Sequence, residues 1–371
     1  MSYSDLRMKF ISFVLRKYRH FTKKNSNNLS FEHQNFKRIM IISNKLLGDF
    51  LFCTPAIRAL KEKYPHAEIL AVISHKNKGI IGENNFINKV VYMDSTLTDV
   101  LKALPEIRKF KPEISVIFHS RTPYDLILSV FSRSNFIIKH YFNNDIKKLF
   151  NVCDHFVLDP CTPPVLNHLA LISKLGCDTQ GKKMFFPAEV PKIMKDSTSP
   201  LIIGYQLGAS KPNRYLPETT LQQLTEMLSL HSPLCEFHLF GAPSEKPLGD
   251  TFVKGLTEET SHKVVNHIGK TTLQGLAHTL NAIDILITPD TGTLHIATSL
   301  EIKTVSLFVT RKENGCEPQQ DPHLHNVIYA SDYNELAFDR TFPKPLEFIP
   351  AEIIFKNILS SLSEKNELSA R

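Results

Sequence analysis

The chain has 371 residues, 42% hydrophobic and 22% charged, with 14 Gly, 22 Pro and no Trp, which excludes collagen-like, coiled-coil and disordered classes. Its length suits two or three domains that each bury a core. The formal charge of +7 is concentrated at one end: Met1–Lys24 carries Arg7, Lys9, Arg16, Lys17, Arg19, Lys23 and Lys24 against Asp5 alone. The rest is nearly neutral, so no nucleic acid is expected as a partner.

Residues 1–36 read as a basic amphipathic extension. Leu6, Phe10, Phe13, Val14 and Tyr18 recur at three- and four-residue steps between cations, the spacing of a helix. The apolar run Phe10–Leu15 is too short to span a bilayer, and no small-residue cleavage site follows it. Two readings stay open on composition: a helix lying in a membrane interface, or an extension that packs on the body or stays disordered.

From residue 37 to 178, β-branched runs at Arg38–Ser43, Glu68–Ser74, Lys89–Asp94, Ile114–Ser120 and Phe136–Tyr141 alternate with helical stretches such as Pro55–Lys63 and Leu97–Phe110. The rhythm breaks over 179–200, which reads as a linker. It resumes over 201–345 with strands Leu201–Leu207, Glu236–Phe240, Val264–Ile268, Ile285–Thr288 and Thr304–Val309. Helices Thr219–Leu230, Leu273–Leu280 and Leu294–Leu300 fill the intervals. The tail, 346–371, is helical over Pro350–Ser363 and is expected to cross back to the first domain. Such alternation predicts an α/β protein with two Rossmann-like, doubly wound domains facing a central cleft. Ligands in such sheets sit beyond the carboxyl ends of strands, so the loops after strands carry the information.

Three of these loops stand out. After Arg38–Ser43 comes Asn44-Lys45-Leu46-Leu47-Gly48-Asp49, whose single carboxylate, Asp49, suits a general base or a helix cap. Thr54-Pro55 then carries its own helix-start signal, so the helix there is kinked or begins late. After Leu201–Leu207, Gly208-Ala209-Ser210 offers backbone amides beside Lys211 and Arg214, either an anion site or a polar connection. After Ile285–Thr288, Asp290, Thr291 and Gly292 stand where a helix begins, so free amides and the positive dipole end can face a diphosphate, with His295 in the first turn. Glu245 follows another strand and suits sugar hydroxyls or a first-turn helix acid.

Several chemistries lack their residues. Six cysteines (Cys53, Cys153, Cys161, Cys177, Cys235, Cys316) show no C-x-x-C pair and fit scattered thiols in a reducing cytosol. Asp321, His323 and His325 read as a polar connection, so no metal site is expected. No G-x-G-x-x-G follows a strand and no G-x-S-x-G elbow occurs, against dinucleotide oxidoreductases and α/β-hydrolases.

In order, the loops resemble glycosyltransferase family 9, the ADP-heptose:lipopolysaccharide heptosyltransferases. The resemblance runs from roughly Arg38 to Ala330 through Gly48-Asp49-x-Leu51-x-x-Thr54-Pro55-Ala56 and Lys61-x-x-Tyr64-Pro65-x-Ala67-x-Ile69. It continues through His168 to Leu175-Gly176, Gly208-Ala209-Ser210 with Arg214 and Pro217, and Phe240-Gly241-Ala242-x-x-Glu245. Asp290-Thr291-Gly292-x-x-His295-x-Ala297 is its most specific element.

The resemblance implies a GT-B fold and inverting, metal-independent transfer of heptose from ADP-heptose to a hydroxyl of a lipid A–Kdo core acceptor. ADP-heptose is then a substrate, and no cofactor is implied. Asp49 maps to the proposed general base, and Lys45 and Gly48 belong to its acceptor-side loop. Ser210, Arg214, Asp290, Thr291, Gly292 and His295 would hold the leaving diphosphate, and Glu245 the nucleotide ribose. Arg214-Tyr215-Leu216-Pro217 departs from the family's Lys, aromatic and Pro: Arg still pairs with phosphate, while Leu216 replaces a Trp of the pocket wall. The resemblance favours base over cap for Asp49 and a membrane-surface role for Met1–Lys24, hence a cytoplasmic protein peripheral on the inner membrane. The alternatives are a family 9-like transferase with another nucleotide sugar or glycan acceptor, and a two-lobed binding protein without chemistry.

Overall fold

The computed structural model describes residues 3–22, 33–141, 147–158, 163–191, 193, 195–196, 199–311 and 315–363. Lys23, Lys24 and Cys161 lie outside the described residues. The chain forms two units, Met1–Glu189 and Val190–Arg371.

The first unit holds α1 (Tyr3–Thr22), β1 (Arg38–Ser43), α2 (Leu47–Leu51), α3 (Thr54–Lys63), β2 (Glu68–Ile73), β3 (Lys89–Tyr92), α4 (Leu97–Phe110), β4 (Ile114–His119), α5 (Tyr124–Phe131), β5 (Phe136–Tyr141), β6 (His155–Leu158) and α6 (Pro164–Ser173). Its sheet runs β3-β2-β1-β4-β5-β6 with every pairing parallel. Strands β1, β2 and β4 are buried along almost their whole length, as continuous apolar runs with helices on both faces must be. The helix after β1 is broken as the Thr54-Pro55 signal predicts: α2 ends at Leu51 and α3 begins at Thr54.

One face of α1 packs on this unit. Met8 and Leu15 join the core of β1, β2, α4 and α5, Tyr18 lies 4.6 Å from Phe131, and Arg19 pairs with Asp154 and bonds the Asn135 carbonyl at 3.2 Å. Packing and exposure therefore share this helix, one on each face.

The second unit holds β7 (Leu201–Gln206), α7 (Glu218–His231), β8 (Cys235–Phe240), α8 (Lys246–Lys254), α9 (Glu258–Ser261), β9 (Val264–Asn266), α10 (Leu273–Leu280), β10 (Ile285–Pro289), α11 (Gly292–Ser299), β11 (Lys303–Phe308), β12 (His325–Tyr329) and α12 (Ala351–Ser363). Its parallel sheet, β12-β11-β10-β7-β8-β9, repeats the strand order of the first. Each sheet therefore has six strands where the sequence predicts five; β6 and β12 are the additions.

The tail helix buries residues in its own unit: Ile354 and Ile358 are fully buried in the second unit's core, and Lys303 bonds the Ser361 carbonyl. The stretch 179–200 is anchored at both ends. Phe185 donates its amide to Thr54 Oγ1 at 3.1 Å and its ring centre lies 4.4 Å from that of Phe86, the rings tilted by 40°, while Lys195 reaches Asp284 at 2.6 Å.

Candidate active site

In both units the order of strands reverses beside the first strand, at the β1/β4 and β7/β10 boundaries. There the crossover helices leave on opposite faces and open a crevice at the carboxyl edge. The residues singled out by sequence fall at these two places.

In the first unit, Asn44 braces the carboxyl edge. Its amide donates to the His119 carbonyl at 3.0 Å, its Nδ2 to the Met93 carbonyl at 3.1 Å, and its Oδ1 accepts from Ser120 Oγ at 2.6 Å. The next turn, Lys45–Gly48, is thereby fixed to three strands, and α2 presents Asp49 from its first turn.

The base and cap readings of Asp49 meet here. Asp49 Oδ2 accepts the Leu46 amide at 3.0 Å, while Oδ1 lies 2.8 Å from His119 Nδ1. Burial pushes the Asp49 carboxyl up, but His119, the Leu46 amide and Lys45 outweigh it and hold the group below the ordinary carboxylate value. Burial holds His119 down despite the carboxylate beside it, so near neutrality Asp49 is the charged member. Beneath them, burial lowers His168 to about 3 and His140 to about 2, leaving both neutral. Lys139 and Asp125, both fully buried, form an ion pair under β5.

His119 is absent from the sequence-derived site. It touches Asp49 because β1 and β4 are neighbours in the sheet, and residues after non-consecutive strands meet only once that order is known.

In the second unit, Arg214 Nη1 pairs with Asp290 Oδ2 at 2.5 Å, and His295 Nε2 lies 3.8 Å from Asp290 Oδ1. The three residues do converge, but Asp290 brings a negative charge to the α11 terminus and Arg214 answers it. Thr291 and Gly292 open α11, and Ser210 stands exposed on the β7 loop.

Glu245 is seated by two glycines. A Cβ on Gly208 would stand 2.3 Å from Glu245 Cδ, and one on Gly241 2.5 Å from Glu245 Oε2, so the carboxylate occupies space that only glycine leaves. Glu245 Oε2 accepts from the Ala242 amide at 3.0 Å and from Gln206 Nε2 at 3.2 Å; Gln206 Oε1 in turn accepts from Thr293 Oγ1 at 2.8 Å. Thr293–Gln206–Glu245 thus ties the first turn of α11 to the loops after β7 and β8. Burial raises the Glu245 carboxyl against these donors. Gln206 and Thr293 give no motif signal in the sequence.

Among the described residues no group of three or more His, Cys, Asp or Glu side chains is arranged to hold a metal ion. His325 is buried in β12, 3.0 Å from Thr304 Oγ1.

Residues 167–337 match the family model described as glycosyltransferase family 9 (heptosyltransferase). A lipooligosaccharide heptosyltransferase 2 of Campylobacter jejuni is 25% identical over 288 residues, covering 76% of this chain and 84% of that protein. Among solved structures, a glycosyl transferase family 9 protein of Veillonella parvula superposes with a TM-score of 0.75 at 20% identity, over 91% of this chain and 100% of its own. The ADP-heptose LPS heptosyltransferase II of E. coli does so with a TM-score of 0.68 at 17% identity, over 89% and 99%. The fold is accordingly GT-B, and over residues 167–337 the chain is similar to glycosyltransferase family 9.

Proposed function

We propose that the protein transfers heptose from ADP-heptose to a hydroxyl of a lipopolysaccharide or lipooligosaccharide core, with inversion and without a metal ion. The observation that carries this reading is Asp49, an ionised carboxylate fixed by the Leu46 amide and His119 at the carboxyl edge of the first sheet. The donor and acceptor classes come from the relatives' activities: one acts on lipooligosaccharide, another on ADP-heptose and lipopolysaccharide.

In the proposed reaction the acceptor oxygen attacks the anomeric carbon as the bond to the diphosphate breaks. Its proton passes to Asp49, and ADP leaves with the electron pair. A carboxyl that is already ionised suits this timing, because it is ready to accept the hydroxyl proton, which becomes acidic only as the new C–O bond forms. The α11 amides at Thr291 and Gly292, with Arg214, Ser210 and His295, would meet the leaving diphosphate electrostatically, and Glu245 the ribose. The acceptor is lipid-borne, so the enzyme would work peripherally at the inner face of the cytoplasmic membrane. No helix among the described residues is long and apolar enough to cross a membrane.

The test incubates the purified chain with ADP-heptose and truncated lipid A–Kdo core acceptors and weighs the products. One added heptose in chelator, lost in Asp49→Asn, is the expected result. Transfer only from UDP- or GDP-sugars would remove the ADP-heptose assignment, and tight binding without product would leave a binding protein.

A further inference from the structure

The inner face of α1 is accounted for by Met8, Ser12, Leu15 and Arg19, which are buried or paired against the first unit. The opposite face is not. Leu6, Phe10, Phe13 and Phe21 are 57%, 67%, 59% and 80% exposed, and successive 100° steps along the helix set them on one side of it. Such a stripe, on a helix already anchored by its other face, is an interaction surface. Arg7, Lys9, Arg16 and Lys17 are exposed beside it, with Lys17 Nζ 5.9 Å from the Phe13 ring centre. Next to the stripe lies a hollow of about 460 Å³, walled by Phe13, Arg16, Lys17 and His20 on the helix and by Val152 across from it.

We infer that this face of α1 docks on an anionic phospholipid bilayer, the three Phe rings and Leu6 entering the acyl boundary and the hollow receiving a headgroup phosphate. The inference rests on the reading of a lipid-borne acceptor and names the element that holds the enzyme to that lipid. Charge decides the occupant. A second copy seated on the same face would bring Arg7, Lys9, Arg16 and Lys17 against an identical set, whereas an anionic surface answers each of them. The helix is about 30 Å long, enough to lie along the interface with its inner face still packed on the protein.

The experiment floats the full chain on phosphatidylcholine vesicles with and without one quarter phosphatidylglycerol, and measures transfer to a water-soluble, lipid-free core oligosaccharide in parallel. The wild-type chain should bind the anionic vesicles at least tenfold more tightly than the neutral ones, and less tightly as salt rises. Phe10→Ser/Phe13→Ser should lose at least tenfold on both vesicles. Arg16→Glu/Lys17→Glu should lose the preference for anionic ones. Both variants should melt with the wild type, since none of the four side chains is buried, and transfer to the soluble acceptor should be retained. Wild-type protein that ignores anionic vesicles, or variants that bind like it, would overturn the inference. So would a wild-type dimer in sedimentation that the Phe variant dissolves. A chain that floats and responds to both variants but transfers no sugar would keep the docking face and remove the transferase reading.

Discussion

Replacing Asp49 with asparagine keeps the shape of the side chain and an oxygen for the Leu46 amide, but removes the proton acceptor. Loss of a positioned general base costs about 10²–10⁴ in rate, or about 3–5 kcal/mol of transition-state stabilisation. The carboxylate is fixed on both oxygens, by an amide at 3.0 Å and an imidazole at 2.8 Å, so little of its contribution is lost to rotamer averaging and kcat should fall by about 10³. The KM for the nucleotide sugar should stay within a few fold, because the proposed donor groups belong to the other unit.

The pH profile isolates His119. The wild-type rate should fall on the acid side only below the ordinary carboxylate range. In His119→Ala burial still pushes the Asp49 carboxyl up, but the largest opposing contact is gone, so the acid limb moves to higher pH. The sign for stability is the same. A depressed carboxyl stabilises the fold above its unfolded pKa of about 3.9, and that contribution disappears as pH falls through the folded value. Quenched-flow or coupled ADP-release kinetics across pH, with circular dichroism as a folding control, make the measurement. A folded Asp49→Asn within threefold of wild-type kcat would refute the base, and an unmoved acid limb in His119→Ala would refute its coupling to Asp49.

Asp125→Asn leaves Lys139 charged, buried and unpaired, and should cost about 3–5 kcal/mol in chemical denaturation, most of it recovered in Asp125→Leu/Lys139→Met. Gly208→Ala drives its Cβ into Glu245 Cδ, 2.3 Å away; the carboxylate must leave Gln206 and Ala242, raising the donor KM about tenfold with kcat little changed while the fold loses about 1–2 kcal/mol. Arg214→Ala removes a cation and also uncovers Asp290, so ADP binding by calorimetry should weaken more than in Arg214→Ala/Asp290→Asn. His168 is neutral down to about pH 3 when folded, against about 6.5 when unfolded, so below pH 6.5 it contributes ~1.4 kcal/mol of lost stability per pH unit, and in thermal melts His168→Phe should reduce the slope of stability against pH by that share, leaving the part due to His140.

The strands that bear the candidate site were legible because a parallel strand covered on both faces needs an uninterrupted apolar run, and Arg38–Ser43 or Ile285–Pro289 shows one. Edge strands show it unevenly: Lys89–Tyr92 and Val264–Asn266 were legible, the other two edges were not. His155–Leu158 and His325–Tyr329 are half-exposed in part and carry polar residues such as His155 and Asn326, so neither has a run to read. The period of α12 announces an apolar face and says nothing of its destination, which Ile354 and Ile358 settle only by packing on the second unit. The same limit hid His119 and Gln206. Each sits at or beside the end of a strand, and each acquires its partner from a neighbour in sheet order rather than in sequence. Glu245 was legible as a residue after a strand, but Gly208 was read for its backbone amides, and the room that it and Gly241 leave for the carboxylate shows only in the fold.

The two switch points share one topology and differ in charge, and the proposed chemistry depends on that difference. An amide-lined helix start attracts a diphosphate, so an acid placed there works against it. Asp290 is such an acid, and in isolation it would repel the group that α11 is proposed to receive. Arg214 Nη1 pairs with its Oδ2 at 2.5 Å, so a permanent cation answers the carboxylate locally. At the first sheet the balance is the reverse. Burial keeps His119 largely neutral, so the charge of Asp49 is oriented without being cancelled. A carboxylate facing a permanent cation, as Asp290 does, is compatible with an anion nearby, whereas one facing a buried imidazole, as Asp49 does, keeps a net negative charge that a diphosphate would avoid. The same fold edge thus supports opposite tasks, through whether the partner of its acid is a permanent cation or a buried imidazole.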